Sequence, residues 1–476
     1  MVTIIGIDGL DKNIIDRHID SLPNFKKIGT EGILCPIESV FPADSVPAWT
    51  TIFTGLNPAE HGIIRGKDYV ESVDDFGADH GFVLKGKTFW DHYSDHGLRC
   101  LVINPFLAYP AWRIHGIMES GPAFIAGDHS IFPEDADSLH PDVLGGYSAI
   151  SNLASLRAEM EKVFTDTDKL WNEYEYQLLK DQFDLVFVTF TTLDRLQHYT
   201  WRYYDPSDPL YENDDYLSGC IPKLLRDFDD RIGSLIERMK NEDAVILISD
   251  HGFRQRPFNL INLNEYLRKA GLLVFKKEYE TGSSRRIQIL KTTVISILSR
   301  LKLLDKIAAP LKRVKGVGKL KKSDYLIDKE NSVCYTDDLF SGKKPYVGLN
   351  FGERIKQADI LTKEAAFSKL VTTLNSGEIP KPIRILRSEE LYHGEYNTRL
   401  PDILVELPPE NGIEFSFFGQ IMEKSSTHFR ISGGHYGSGT FGYFGKGNKN
   451  EIKPPPTIIG FSDFIKNLLY ENSSGK

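Results

Sequence analysis

The sequence is poor in cysteine, in basic charge and in long apolar runs, and each shortage removes a class of protein. Its four cysteines, Cys35, Cys100, Cys220 and Cys334, stand far apart and form no Cys-x-x-Cys pair. That spacing argues against a thiolate zinc cluster or a disulfide framework and suits a reducing compartment. Lysine and arginine number 57 against 66 acidic residues, for a net charge of −9. A general nucleic-acid binder would need a basic face, so that class is set aside. An anionic substrate is still allowed, because bound divalent cations reverse the local sign. No apolar run approaches the length of a membrane span, so no transmembrane segment is expected. Met1 leads straight into an apolar strand pattern instead of a basic region and a cleavage site. The reading is therefore no signal peptide and a cytoplasmic location. Internal repeats and low-complexity tracts are also missing.

What remains is an ordinary globular composition, 41% hydrophobic and 26% charged, over 476 residues. That length holds one large α/β domain and a second unit. Residues 2–7, 183–190 and 244–249 are continuous apolar, β-branched runs, the pattern of parallel strands covered on both faces. Helical patterns alternate with them, notably the stripe Ile221, Leu224, Leu225, Phe228, Ile232, Leu235, Ile236 and Met239. That alternation predicts a doubly wound, mostly parallel sheet. Residues 105–146 read as loop. The composition shifts near 277, and the expected division is a core over 1–276, an inserted cap over 277–430, and a return to the core over 431–476. The basic stretch 302–322 reads as a solvated cap face in preference to a membrane or polyanion surface.

Three of the strand patterns end in groups that carry chemistry. Asp8 closes the first, Asp194 and His198 follow the second, and Asp250-His251-Gly252 closes the third. In open α/β sheets the carboxyl ends of the strands hold the ligand. Asp194 and His198 are four apart, so one helical turn directs both at one ion. His435, in the Gly-rich loop 432–439, offers a late third ligand. Ser45 opens the segment Ser45-Val46-Pro47-Ala48-Trp49, where Pro47 suits the first turn of a helix. A serine there is most often just an N-cap. Beside this set of carboxylates and imidazoles it reads instead as the nucleophile of a two-metal phosphoryl-transfer site. Phosphate esters repel nucleophiles, and two cations relieve that repulsion. With thiolates absent, these nitrogen and oxygen ligands suit Zn²⁺ first and Mn²⁺ second.

These motifs resemble the alkaline phosphatase superfamily. The likeness is to the branch of type I phosphodiesterases/nucleotide pyrophosphatases, cofactor-independent phosphoglycerate mutases and predicted phosphohydrolases/phosphomutases. It is carried by Ile5-Gly6-Ile7-Asp8-Gly9, by residues 42–55 with Pro58-Ala59-Glu60-His61-Gly62-Ile63, by Asp194 through His198, by Ser249-Asp250-His251-Gly252-Phe253 and by Gly434-His435. Residues 259–272 and Leu400-Pro401-Asp402-Ile403-Leu404 resemble the predicted phosphohydrolase group in particular. The resemblance implies an alkaline-phosphatase-like fold, a small-molecule phosphate ester as substrate and a covalent phosphoserine at Ser45. It also implies one ion on Asp194, His198 and His435, and another on Asp8, Asp250, His251 and the Ser45 oxygen. Trp49 stands where the sulfatase signature carries arginine, which disfavours a sulfatase. The pyrophosphatase asparagine that follows the His-Gly-Ile turn is replaced by Gly66, so Arg65 or Lys67 is assigned the oxyanion contact. His61 reads as a turn residue bonded to backbone. The reading is a metal-dependent phosphoesterase. The alternatives are a phosphomutase or phosphotransferase using the same phosphoserine, and a non-catalytic binder that keeps the fold.

Overall fold

The computed structural model describes all residues except 65–82, 123–128, 141–149, 151, 278–325, 338–342, 416, 418, 446–451 and 474–476. The basic stretch 302–322, Arg65 and Lys67 therefore lie outside the described residues. The chain divides into two compact units, one of residues 1–255, 394–396 and 431–476, the other of 256–393 and 397–430. The second unit thus opens ahead of the composition shift near 277.

The first unit begins with β1 (Val2–Ile7), β2 (Ile33–Glu38), β3 (Cys100–Ile103) and β4 (Gly116–Ser120). It continues with β5 (Ser130–Phe132), β6 (Leu185–Phe190), β7 (Ala244–Ile248) and β8 (Gly252–Gln255). The second unit contributes β9 (Asn259–Asn262), β10 (Cys334–Thr336), β11 (Tyr346–Phe351), β12 (Arg384–Arg387), β13 (Ile403–Glu406), β14 (Asn411–Glu414) and β15 (Met422–Lys424). The chain returns to the first unit with β16 (Gly433–Tyr436) and β17 (Ser438–Gly445).

Eight strands form the central sheet, in the order β2-β17-β7-β1-β6-β3-β4-β5. The run β7-β1-β6-β3-β4 is parallel throughout, and β17 and β5 pair antiparallel at its two sides. Every residue of β1, β3, β6 and β7 is buried, as parallel strands covered on both faces require. The helices Leu153–Lys180 and Leu217–Arg238 supply part of that cover, and the stripe from Ile221 to Met239 lies wholly in the core. The mixed α/β, mostly parallel architecture is the one the strand and helix patterns predict.

Two local expectations need correction. Residues 105–146, read as loop, hold β4 and β5, which extend the sheet at one edge. The Gly-rich run at 433–436 is not a loop: it is β16, paired antiparallel with β8 so that His435 faces Phe253. In both places hydrogen bonding to a neighbouring strand overrides weak local propensity.

In the second unit, a four-stranded antiparallel sheet, β10-β11-β13-β12, and a three-stranded sheet, β14-β9-β15, share a hydrophobic core with the helix Ile360–Leu374. Among the described residues, no helix is long and apolar enough to cross a membrane.

Candidate active site

Ser45 is the first residue of the helix Ser45–Thr54, but it does not cap it. Asp44 does, accepting from the backbone N–H of Val46 at 3.3 Å. Gly55, at φ +75°, closes the other end in the left-handed conformation that glycine tolerates best. Relieved of the capping role, the half-buried Ser45 hydroxyl lies 3.0 Å from His251 Nε2 and 3.4 Å from Asp8 Oδ1.

Asp8 sits at the carboxyl end of β1, where Gly9 turns at φ +72° and sends its N–H to Asp250 Oδ1 at 3.3 Å. Asp250 and His251 close β7, and both are fully buried. His251 Nδ1 donates to the Gly252 carbonyl at 3.1 Å; a carbonyl only accepts, so Nε2 carries the lone pair. That Nε2 is 3.2 Å from Asp250 Oδ2 and 3.5 Å from Asp8 Oδ1.

A second group adjoins the first. Asp194 lies in the first turn of the helix Thr192–Tyr204, with His198 one turn on. Asp194 Oδ1 is 3.4 Å from Nε2 of His198 and 3.4 Å from Nε2 of His435, and those two nitrogens are 3.0 Å apart. His198 Nδ1 donates to the Gly433 carbonyl at 2.9 Å, again presenting Nε2 to the site. The His251 and His435 rings stack with centroids 4.0 Å apart. All seven side chains from Asp8 to His435 therefore converge at the ends of β1, β6 and β7, although they span most of the sequence.

The electrostatics are unbalanced. Burial pushes the Asp8 carboxyl well above the usual aspartate range, and the charges of Asp250 and Asp194 add to it. Asp250 is raised in the same way, by burial and then by Asp194. Burial also raises Asp194, but His198, His435 and His251 outweigh it and hold that carboxyl below its ordinary range. Burial and the neighbouring His435 keep His251 neutral. Asp194 Oδ1 and Asp250 Oδ2 are buried oxygens that accept no hydrogen bond.

This donor set fits divalent cations. Three ligands at tetrahedral corners, bonded at about 2.0–2.1 Å, stand roughly 3.3 Å apart, close to the triangle of Asp194, His198 and His435. Asp8, Asp194 and His251 form a second set with donor atoms within 4.8 Å of one another. Asp194 belongs to both.

Supporting contacts escaped the sequence reading. Trp49 Nε1 donates to Asp8 Oδ2 at 2.9 Å, Ser39 Oγ donates to the Asp250 carbonyl, and Asp11 accepts from the Phe253 N–H at 3.0 Å. Nothing in the local sequence distinguishes these residues, since each acts across a large separation. His61 ends the short helix Pro58–His61 and, as expected, bonds to backbone: Nδ1 accepts from Ile63 N–H at 3.1 Å, while Nε2 meets Thr51 Oγ1 at 3.1 Å.

The carboxylates and imidazoles gathered at the strand ends give this site the donor set of a metal centre. The chain belongs to the type I phosphodiesterase/nucleotide pyrophosphatase family, whose model matches residues 2–410. It is accordingly a phosphoric ester hydrolase. Among curated protein sequences, none matches the chain significantly. Among solved structures, it is similar to human ectonucleotide pyrophosphatase/phosphodiesterase 5 at 15% identity and a TM-score of 0.47, covering 98% of this chain and 94% of that one. An inactive variant of the murine ectonucleotide pyrophosphatase/phosphodiesterase 5 in complex with AMP matches over the same shares, at 14% identity and a TM-score of 0.48.

Proposed function

We propose that this chain hydrolyses phosphodiester or pyrophosphate bonds of small molecules through a covalent intermediate on Ser45, at a site that takes two divalent cations. The observation that carries the reading is the Ser45 hydroxyl, 3.0 Å from His251 Nε2 and 3.4 Å from Asp8 Oδ1. One cation belongs to Asp194, His198 and His435, the other to Asp8, Asp250 and His251 with the Ser45 oxygen. Zn²⁺ suits these donors best, with Mn²⁺ the second choice. When bound, such ions lower the pKa of the nucleophile and neutralise charge on the phosphoryl oxygens.

The protein's own part is positioning. Ser45 stands at the N-terminal end of its helix, where the backbone dipole favours an incoming phosphate. Its oxygen attacks phosphorus as the alcohol or phosphate leaving group departs, and water then cleaves the P–O bond to Ser45. His198 and His251 are oriented by the Gly433 and Gly252 carbonyls, which spares those rings a reorganisation cost. Arg65 or Lys67, just past the His61 turn, is assigned to a phosphoryl oxygen. The four free thiols suit a reducing compartment, and a cytoplasmic location is part of the reading.

The test is turnover of an aryl phosphate diester and its monoester by chelator-treated protein. The expected outcome is loss of activity, recovery with zinc or manganese, and preference for the diester. Turnover indifferent to chelation would rule the reading out.

A further inference from the structure

A second group of metal-ligating side chains lies at the β4–β5 edge of the central sheet, and the hydrolytic site does not use it. Glu119 on β4, His129 immediately before β5, and His140 place ligand atoms within 4.8 Å of one another. Glu119 is 2% exposed, and His140 faces solvent. Glu119 Oε1 meets His129 Nε2 at 2.5 Å and accepts from Ser138 Oγ at 2.7 Å. Nδ1 of His129 and Nδ1 of His140 stand 3.3 Å apart.

A simple hydrogen-bonded cluster would leave two things unexplained. Glu119 Oε2 is buried and accepts no hydrogen bond. Glu173, fully buried on the helix Leu153–Lys180, brings a second carboxyl group beside it. Glu173 takes the Leu139 N–H at 2.7 Å and Gln177 Nε2 at 2.6 Å, both neutral donors. Two buried carboxyl groups and two imidazoles thus gather at one place. The spacing of the two Nδ1 atoms is roughly the edge of a tetrahedron around an ion bonded at about 2.0–2.1 Å, and Glu119, which now meets His129 at Nε2, joins them by swinging to the Nδ1 side.

We propose that Glu119, His129 and His140 form a third metal site, separate in its ligands from the hydrolytic pair and selective for a borderline divalent ion such as Zn²⁺. Two imidazoles and one carboxylate disfavour Ca²⁺ and Mg²⁺, which take oxygen ligands. The ligands come from two stretches of chain, so the ion fastens residues 129–140 onto the sheet edge. Glu173 stays alongside. The role assigned to the ion is structural.

The experiment uses the full chain. In a His198→Ala/His435→Ala background, which removes ligands of the hydrolytic site, zinc is titrated against a chromophoric chelator. Bound zinc is expected to persist and to fall by one ion per chain when His140→Ala is added. Equal zinc binding with and without His140→Ala would overturn the assignment. If the background variant does not fold, His140→Ala alone serves, because that side chain is exposed. Elemental analysis should then show one zinc fewer per chain with turnover unchanged, and an unchanged zinc content would overturn the proposal. Excess calcium, as a competitor, should displace none of this zinc; displacement would contradict the selectivity.

Discussion

The indole N–H of Trp49 donates a 2.9 Å hydrogen bond to Asp8 Oδ2, tying the helix that begins at Ser45 to the carboxylate that ends β1. Trp49 is fully buried, and its ring leaves no room for a side chain at Gly6, where an added Cβ would stand 2.8 Å from it. One residue thus sets the distance between the nucleophile's helix and the central strand.

Trp49→Phe keeps most of the packing and removes the N–H. The expected result is metal affinity weaker by about 10–100-fold, the usual effect of losing a partner that orients a ligand. Secondary structure should be unchanged. Metal titration against a competing chelator, with circular dichroism as control, makes the measurement; affinity equal to wild type would show that Asp8 needs no such partner.

Metal removal should give the protein a marked pH dependence. Asp8 and Asp250 have folded-state values raised above the unfolded one, so their contribution to stability is present below about pH 4 and is lost as pH rises through the raised values. Asp194 runs the other way: its lowered carboxyl supports the fold at neutral pH and stops doing so only in strong acid. The metal-free protein should therefore lose thermal stability from mildly acidic to neutral pH, and zinc should flatten that slope. Melting temperature across this range, with and without zinc, is the check; parallel curves would contradict it.

His61 should behave as structure only. Burial lowers its pKa to about 3, so it stays neutral through the working range. Removing its bonds to Ile63 N–H and Thr51 with His61→Ala should cost roughly 1–3 kcal/mol of stability. The pH profile of turnover should keep its shape. Loss of an acidic limb in that profile would instead make His61 a participant.

The legible parts of this molecule were those where one short stretch holds the whole signal. The buried parallel strands are runs such as residues 2–7, and their terminal carboxylates stand next to them in the sequence, so Asp8 and Asp250 could be read off directly. Asp194 and His198 needed only the helical period. β4 was not legible because its buried residues are Met118 and two polar ones, Glu119 and Ser120, which a strand pattern does not anticipate. β16 was hidden by its glycines: it exists because β8 pairs with it. Trp49, Ser39 and Asp11 act on residues tens to hundreds of positions away, and no local pattern encodes such contacts. Asp44 supplies the cap that residue frequency alone assigns to Ser45, a distinction of one residue that backbone geometry decides.

The central claim is that Ser45 carries the phosphoryl group during turnover. The direct measurement is acid quenching during the steady state with a phosphorus-labelled diester, followed by digestion and mass spectrometry of the peptide that contains Ser45. The account predicts a covalent label on Ser45 that is missing in Ser45→Ala, together with loss of turnover by at least about 10³-fold. Sustained hydrolysis by Ser45→Ala with its metals bound, or a label on another residue, would contradict it.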